Sequence, residues 1–218
     1  MPDNTPALRG LLVDWGGVLT PGLTDALGRW AELDDLDFDA YYTAITQWLA
    51  ASPLEAGLNP VHALERGQLA VPDFERQLAS RLRRRDGGPV PAEGLIDRMF
   101  AHFEHEPQMA ALVRRAHEAG LRTALLSNSW GNTYPRDAWD GMFDELVISG
   151  EVGLRKPEPE IFHLAADRIG LPPQECVFVD DMAPNVEAAR ALGMTAVLHT
   201  SYDQTRRELE ALFGIGLT

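Results

Sequence analysis

The run Leu11-Leu12-Val13-Asp14-Trp15-Gly16-Gly17-Val18-Leu19-Thr20 limits what this chain can fold into more than any other stretch. An unbroken apolar run that ends in one carboxylate, followed at once by two glycines, reads as a buried strand that stops at an acid and turns sharply. Open α/β folds place their chemistry at that carboxyl edge, where strand ends and helix starts converge on a crevice. Taken alone, the pattern is equally an ordinary strand-to-turn exit. Three later stretches weigh against that.

Residues 21 to 106 carry helical periodicity and no convincing strand. Leu23, Leu27, Trp30 and Leu33 form one apolar stripe; Tyr41, Ile45, Trp48 and Leu49 a second; Phe74, Leu78 and Leu82 a third; Leu95, Met99 and Phe103 a fourth. Ser52-Pro53, Asn59-Pro60, Val71-Pro72 and Gly87-Gly88-Pro89 read as breakers between them, a spacing that suits a small helical bundle. Trp30, Tyr41, Tyr42, Trp48 and Phe74 are expected in its core, with one or two as pocket walls.

From Pro107 the texture alternates. Helices are expected over Gln108 to Ala119, Pro159 to Ile169 and Asn185 to Leu192, each closed by a glycine, at Gly120, Gly170 and Gly193. Strands are expected over Leu121 to Ser127, Glu145 to Ser149, Cys176 to Asp180 and Thr195 to Leu198, with a last helix from Thr205 to Phe213. The order implies an α/β fold, a doubly wound parallel sheet built from residues 1–20 and 107–218, with residues 21–106 as an all-helical insert after the first strand.

With 19 Lys and Arg against 33 Asp and Glu, the net charge of −14 argues against nucleic-acid or anionic-membrane partners. Arg81, Arg83, Arg84 and Arg85 read as a helix end before the Asp86-Gly87-Gly88 turn. Cys176 is the only cysteine. No apolar run reaches ~18 residues and Met1 to Arg9 is polar, so a cytoplasmic protein with neither membrane span nor secretory signal is expected. His62, His102, His105, His117, His163 and His199 show no metal-ligand spacing.

Three stretches share an edge with Asp14, two of them strand ends. Leu125-Leu126-Ser127-Asn128-Ser129-Trp130 ends in a hydroxyl and an amide, and Val177-Phe178-Val179-Asp180-Asp181 in two carboxylates. Between them, Gly153-Leu154-Arg155-Lys156-Pro157-Glu158-Pro159 holds the only lysine of the protein. A chain that uses Arg everywhere else and keeps Lys156 points to a place where a compact ammonium is needed. Three carboxylates at one edge call for a hard divalent cation, and Mg²⁺ takes one or two carboxylates while keeping waters and substrate oxygens. Pro184 and Asn185 open a helix whose positive end favours a bound anion. A carboxylate, a hydroxyl, an ammonium and a metal around one point describe phosphoryl-group handling.

With those motifs in order at Asp14, Ser127, Lys156 and Asp180-Asp181, the sequence resembles the haloacid dehalogenase superfamily of hydrolases over essentially its whole length. Its texture is similar to the phosphatases related to the amino-terminal domain of soluble epoxide hydrolase. The shared pieces are the Gly-Val-Leu opening, the Asn-Ser-Trp end of the second motif, Lys-Pro-Glu-Pro and Val-Phe-Val-Asp-Asp. The resemblance implies a Rossmann-like core with a small helical cap over residues 21–106. It implies Asp14 as a nucleophile forming an aspartyl-phosphate and Lys156 as the charge that orients nucleophile and phosphoryl group. Ser127 and Asn128 become phosphoryl contacts, and Trp15 and Gly16 join them as substrate-binding positions. Mg²⁺ is expected on Asp14, the Gly16 carbonyl and Asp181, with Asp180 behind.

One position departs from the family pattern. The phosphatases carry a second Asp two residues after the nucleophile, as general acid and base, and here that residue is Gly16. General acid-base help contributes about 10²–10⁴-fold, so hydrolysis of alkyl phosphates is expected to suffer. Three readings remain open: a Mg²⁺-dependent phosphohydrolase of a small phosphorylated metabolite, a carbon-halogen hydrolase, and a catalytically impaired phosphometabolite-binding protein. Phosphonate cleavage would need a cap lysine, and residues 21–106 have none. Oligomeric state is open.

Overall fold

In the computed structural model, which describes residues 7–50, 59–101 and 103–217, five parallel strands form one sheet. They are β1 (Gly10–Val13), β2 (Arg122–Ser127), β3 (Glu145–Ile148), β4 (Cys176–Asp180) and β5 (Thr195–Leu198), in the order β3-β2-β1-β4-β5. The first strand is therefore the central one. Val13 sits beside Leu125 on one side and Val179 on the other, so the chain leaves β1 at the switch point of the sheet.

Alternation along β1 divides the core into two layers. Leu11 and Val13 pack with Met109, Leu112 and Leu209, from helices α6 (Pro107–Glu118) and α10 (Tyr202–Phe213). Leu12 packs with Phe162, Ala165 and Val186, from α8 (Pro159–Arg168) and α9 (Ala183–Ala191). A short helix, α7 (Ser149–Val152), follows β3 where the sequence suggested only a strand end. Helix α10 starts three residues before the expected Thr205, because the Ser201 hydroxyl caps the Gln204 N–H at 3.4 Å. Cys176 is buried and free.

The segment between β1 and α6 holds α1 (Leu23–Leu33), α2 (Phe38–Ala50), α3 (Pro60–Glu65), α4 (Val71–Arg81) and α5 (Leu95–Phe100) around its own apolar cluster. Trp30, Tyr41, Trp48 and Phe74 lie in it; Tyr42, Leu33 and Leu49, expected inward, are exposed. Ala26, Ala31 and Ala44 take the inward positions of those helices instead, letting the neighbours approach closely.

Two expected breakers prove to be helix starts. Asn59 caps α3, accepting from the N–H groups of Val61 (3.0 Å) and His62 (3.3 Å), and Val71-Pro72 forms the first turn of α4. A first turn needs no proline N–H, so Pro starts a helix there rather than ending one. Only Arg81 lies in the last turn of α4; Arg83, Arg84 and Arg85 follow it, with Arg83 reaching back to the Leu82 carbonyl at 2.6 Å. Ser52-Pro53, His102 and the stretch Met1 to Pro6 lie outside the described residues. Among the described residues, no helix is long and apolar enough to cross a membrane.

Candidate active site

Asp14 directly follows β1, and its N–H extends the ladder to the Val179 carbonyl at 2.9 Å. The chain then turns tightly, the Leu19 N–H donating to the Trp15 carbonyl at 2.8 Å and the Gly17 N–H to the Thr20 hydroxyl at 3.0 Å. Gly17 has φ +74°, and a Cβ there would collide with the Asp181 carboxylate, so glycine is required. Gly16 differs. Its φ is not positive, and a Cβ would meet only the flexible end of Leu23, at 3.3 Å. The backbone therefore does not force the missing carboxylate at position 16.

Lys156, 1 % exposed, places its ammonium 2.8 Å from Asp14 Oδ1 and 2.6 Å from Asp180 Oδ2. One nitrogen serving two carboxylates from a thin stem suits Lys and not the planar fork of Arg. Asn128, read from the sequence as a phosphoryl contact, uses both ends of its amide elsewhere. Its Oδ1 accepts from the Lys156 N–H at 2.8 Å and its Nδ2 donates to the Lys156 carbonyl at 3.0 Å. The side chain thus clamps the loop that delivers the ammonium.

Asp180 is fully engaged. Beside Lys156 it accepts from the Met182 N–H at 2.8 Å and from Asn185 Nδ2, 3.1 Å from each oxygen. The start of α9 thus meets Asp180 through the Met182 N–H and the Asn185 side chain. Asp181 is the opposite case, with Oδ1 buried and without a hydrogen-bond partner among the described residues. One oxygen from each of Asp14, Asp180 and Asp181 falls in a group within 4.8 Å of one another.

Burial, then the charges of Asp180 and Asp181, push Asp14 up to about 8 against the pull of Lys156. Burial and Asp180 raise Asp181 to about 6. Burial works against the Lys156 charge, but Asp14 and Asp180 outweigh it and hold its pKa above the ordinary range. Fully ionised, three carboxylates and one ammonium would carry two excess negative charges, the charge a divalent cation would cancel, and burial together with their crowding is what raises Asp14 and Asp181. The orphaned Asp181 oxygen and the Gly16 carbonyl, which accepts no hydrogen bond from the described residues, are free to ligate one.

Ser127 is buried, with Oγ 3.0 Å from the Tyr134 hydroxyl. Trp15 lies edge-on to Tyr134 at 5.0 Å and stacks on Phe100 and Phe103, lining a cavity of about 190 Å³. A larger cavity of about 570 Å³ lies between the insert and the strand ends, walled by Leu64, Val71, Asn132, Tyr134 and Ile148 among others. Glu65 bridges insert and core, with Oε2 2.5 Å from Arg155 Nε and Oε1 accepting from Trp130 Nε1 at 3.2 Å. Arg66 pairs with Glu158 beside it. Tyr134, Glu65 and Arg155 were not singled out in the sequence, because no spacing links them.

A model of the haloacid dehalogenase-like hydrolases matches residues 8–193. The chain belongs to that family. As a family member it is a hydrolase with the α/β Rossmann-like core described above. It is 28% identical over 225 residues to bifunctional epoxide hydrolase 2 of Mus musculus, covering 95% of this chain and 39% of that protein. The chain thus spans about two fifths of that relative's length. To phosphoserine phosphatase of Thermus thermophilus it is 32% identical over 137 residues, 59% of this chain and 55% of that protein. In fold it is similar to a HAD family enzyme of Bacteroides thetaiotaomicron in complex with magnesium and inorganic phosphate, with TM-score 0.62, 19% identity, and 89% and 95% of the two chains covered.

Proposed function

We propose that this chain is a Mg²⁺-dependent phosphohydrolase acting on a small phosphorylated metabolite through Asp14. The observation that carries the reading is the uncancelled charge at the strand ends: three carboxylates, one buried ammonium and an unpartnered Asp181 oxygen. The phosphatase among the relatives and the phosphate-bound structural neighbour support it. A metal-independent carbon-halogen hydrolase has no use for that surplus of carboxylates. The net charge of −14 fits a small-molecule substrate better than nucleic acid, and the unpaired Cys176 fits a reducing cytoplasm.

In this reading Asp14, the Gly16 carbonyl and Asp181 hold Mg²⁺, and Asp180 stays behind, fixed by Lys156, Met182 and Asn185. Bound Mg²⁺ supplies positive charge to the phosphoryl oxygens. Both close contacts on Asp14, from Lys156 and from the Trp15 N–H at 2.7 Å, fall on Oδ1, which leaves Oδ2 for attack on phosphorus. Ser127 faces the phosphoryl group and Asn128 holds Lys156 in place. Residues 1–20 and 107–218 act as core, and residues 21–106 as a cap pinned over the Lys156 loop by Glu65 and Arg66.

The test is a panel of phosphate monoesters and haloacids with and without Mg²⁺, with quenched samples examined by mass spectrometry for phosphate on Asp14. Mg²⁺-dependent phosphate release with a phosphorylated Asp14 is expected. Turnover of haloacids alone, indifferent to chelator, would overturn the reading.

A further inference from the structure

Position 16 offers no proton donor, yet the strand ends hold another hydroxyl beside the phosphoryl contact. Tyr134 comes from the loop after β2, is nearly fully buried, and brings its oxygen to 3.0 Å from Ser127 Oγ. Its ring borders both cavities, the one with Trp15 and the one under the insert. The phenol is thus one hydrogen-bond length from Ser127 Oγ, and its ring borders the open space beside Trp15, the residue next to Asp14.

Burial first, and the Asp14 charge with it, hold the phenol pKa above its ordinary value, so the proton stays on the oxygen at rest, while the polar side chains of Ser127, Ser129 and Asn132 work the other way. Of these, Ser127 Oγ is the one in hydrogen-bond contact at rest, at 3.0 Å. Asn132 is 7 % exposed, and its Nδ2 has no hydrogen-bond partner among the described residues. The orientation of that amide is fixed, since its Oδ1 accepts from the Trp130 N–H at 3.2 Å. A buried amide donor without an acceptor costs stability unless something else uses it. A developing phenolate would.

The other ionisable side chains bordering the two cavities are poorer candidates. Glu151 is paired with Arg136, and His105 is exposed on the far side of Phe103 in sequence. Resting on the phosphohydrolase reading, we propose that Tyr134 is the general acid and base that replaces the missing carboxylate at position 16. As Asp14 Oδ2 bonds to phosphorus and the ester P–O bond breaks, the phenolic proton passes to the leaving oxygen, giving the free alcohol and a phenolate held by Ser127, Ser129 and Asn132. The phenolate then takes a proton from the water that attacks the aspartyl-phosphate. Phosphate leaves, and Asp14 and Tyr134 are restored.

The test is a series of phosphate esters running from aryl to alkyl leaving groups, measured on wild type, Tyr134→Phe and Asn132→Asp, each checked by thermal melting. A proton donor matters most for the most basic leaving oxygen, so the alkyl-to-aryl turnover ratio should fall on the order of 10²-fold in Tyr134→Phe. Asn132→Asp keeps the acceptor for Trp130 and removes the donor to the phenolate, so the same ratio should fall in the same direction. Adding Gly16→Asp to Tyr134→Phe should restore alkyl turnover, since the atom a Cβ there would crowd is the flexible end of Leu23, 3.3 Å away, which must shift by a few tenths of an ångström. Equal losses on every ester, or none, would overturn the role of Tyr134 while leaving the phosphohydrolase reading intact. Absence of phosphate-ester turnover by the wild type would sink both.

Discussion

At the carboxyl edge of the sheet Lys156 and Asp180 are buried as deeply as Trp30 and Phe74 are in the helical insert, yet what keeps them there differs. The aromatic residues are held by apolar contact, which is additive and tolerant of modest repacking. The charged pair is held by named partners, each needed by the next: Asn128 holds Lys156, Lys156 holds Asp14 and Asp180, and Asn185 holds Asp180. Removing the ammonium would leave buried carboxylates uncompensated, and truncating an aromatic leaves a cavity, so both cost stability. Neutralising one carboxyl of an edge that holds more carboxylates than ammonium groups does neither, so such a change should show in function, and a truncation in the insert in stability.

The largest expected effect is at the edge. Asp14→Asn keeps the size of the side chain and removes the nucleophile, so turnover should fall on the order of 10⁴-fold or more while melting changes little. Kinetics within a few-fold of wild type would break the assignment. Next comes Phe74→Ala in the insert, which should lower stability by about 3–5 kcal/mol in denaturant titration and leave Mg²⁺ affinity of the folded protein within a few-fold. Equal loss of metal affinity would mean that the two regions are not separable. Smaller again is Asn185→Ala, which removes two hydrogen bonds from Asp180 without touching a proposed ligand. Partners of this kind are worth about 10–100-fold in metal affinity, readable by calorimetric titration.

The same contrast governs what could be read from the sequence. Strands β2, β4 and β5 and the gathering of Asp14, Lys156, Asp180 and Asp181 were legible, because period, glycine closure and charge at strand ends are local signals with one structural outcome. Proline was ambiguous: the dipeptides at 59–60 and 71–72 could end one helix or start the next, and only the Asn59 cap resolves the first. Stripe edges misled at Leu33 and Leu49, since small alanines took the inward positions. At the site, the proximity of Asp14, Lys156, Asp180 and Asp181 could be read, and two further relationships were not visible. That the Asn128 amide faces the Lys156 backbone, and that Tyr134 meets Ser127, depend on loops whose paths no periodicity encodes.

The smallest effect, and the one that sharpens the comparison most, is a dependence on pH that only the edge should show. In the metal-free protein burial first, and then neighbouring carboxylates, raise Asp14 to about 8 and Asp181 to about 6. Unfolded, each would titrate near 3.9, about the ordinary Asp value. The native state therefore binds these protons more tightly than the unfolded state, and stability contributed by the protonated carboxyls is lost as pH rises through the folded values. Metal-free protein should accordingly melt at progressively lower temperature from about pH 5 to about pH 8. Mg²⁺ binds the deprotonated carboxylates and not the acids, so the melting-temperature gain it gives should grow over that same interval. Lys156 stays charged throughout and adds no slope. Asp181→Asn should flatten the part of the rise centred near Asp181's own value of about 6, and Phe74→Ala should lower every melting point without changing the slope. A Mg²⁺ gain that is flat in pH, or that shrinks as pH rises, would remove the carboxylates from the metal site and with them the physical basis for treating the edge and the insert as different kinds of core.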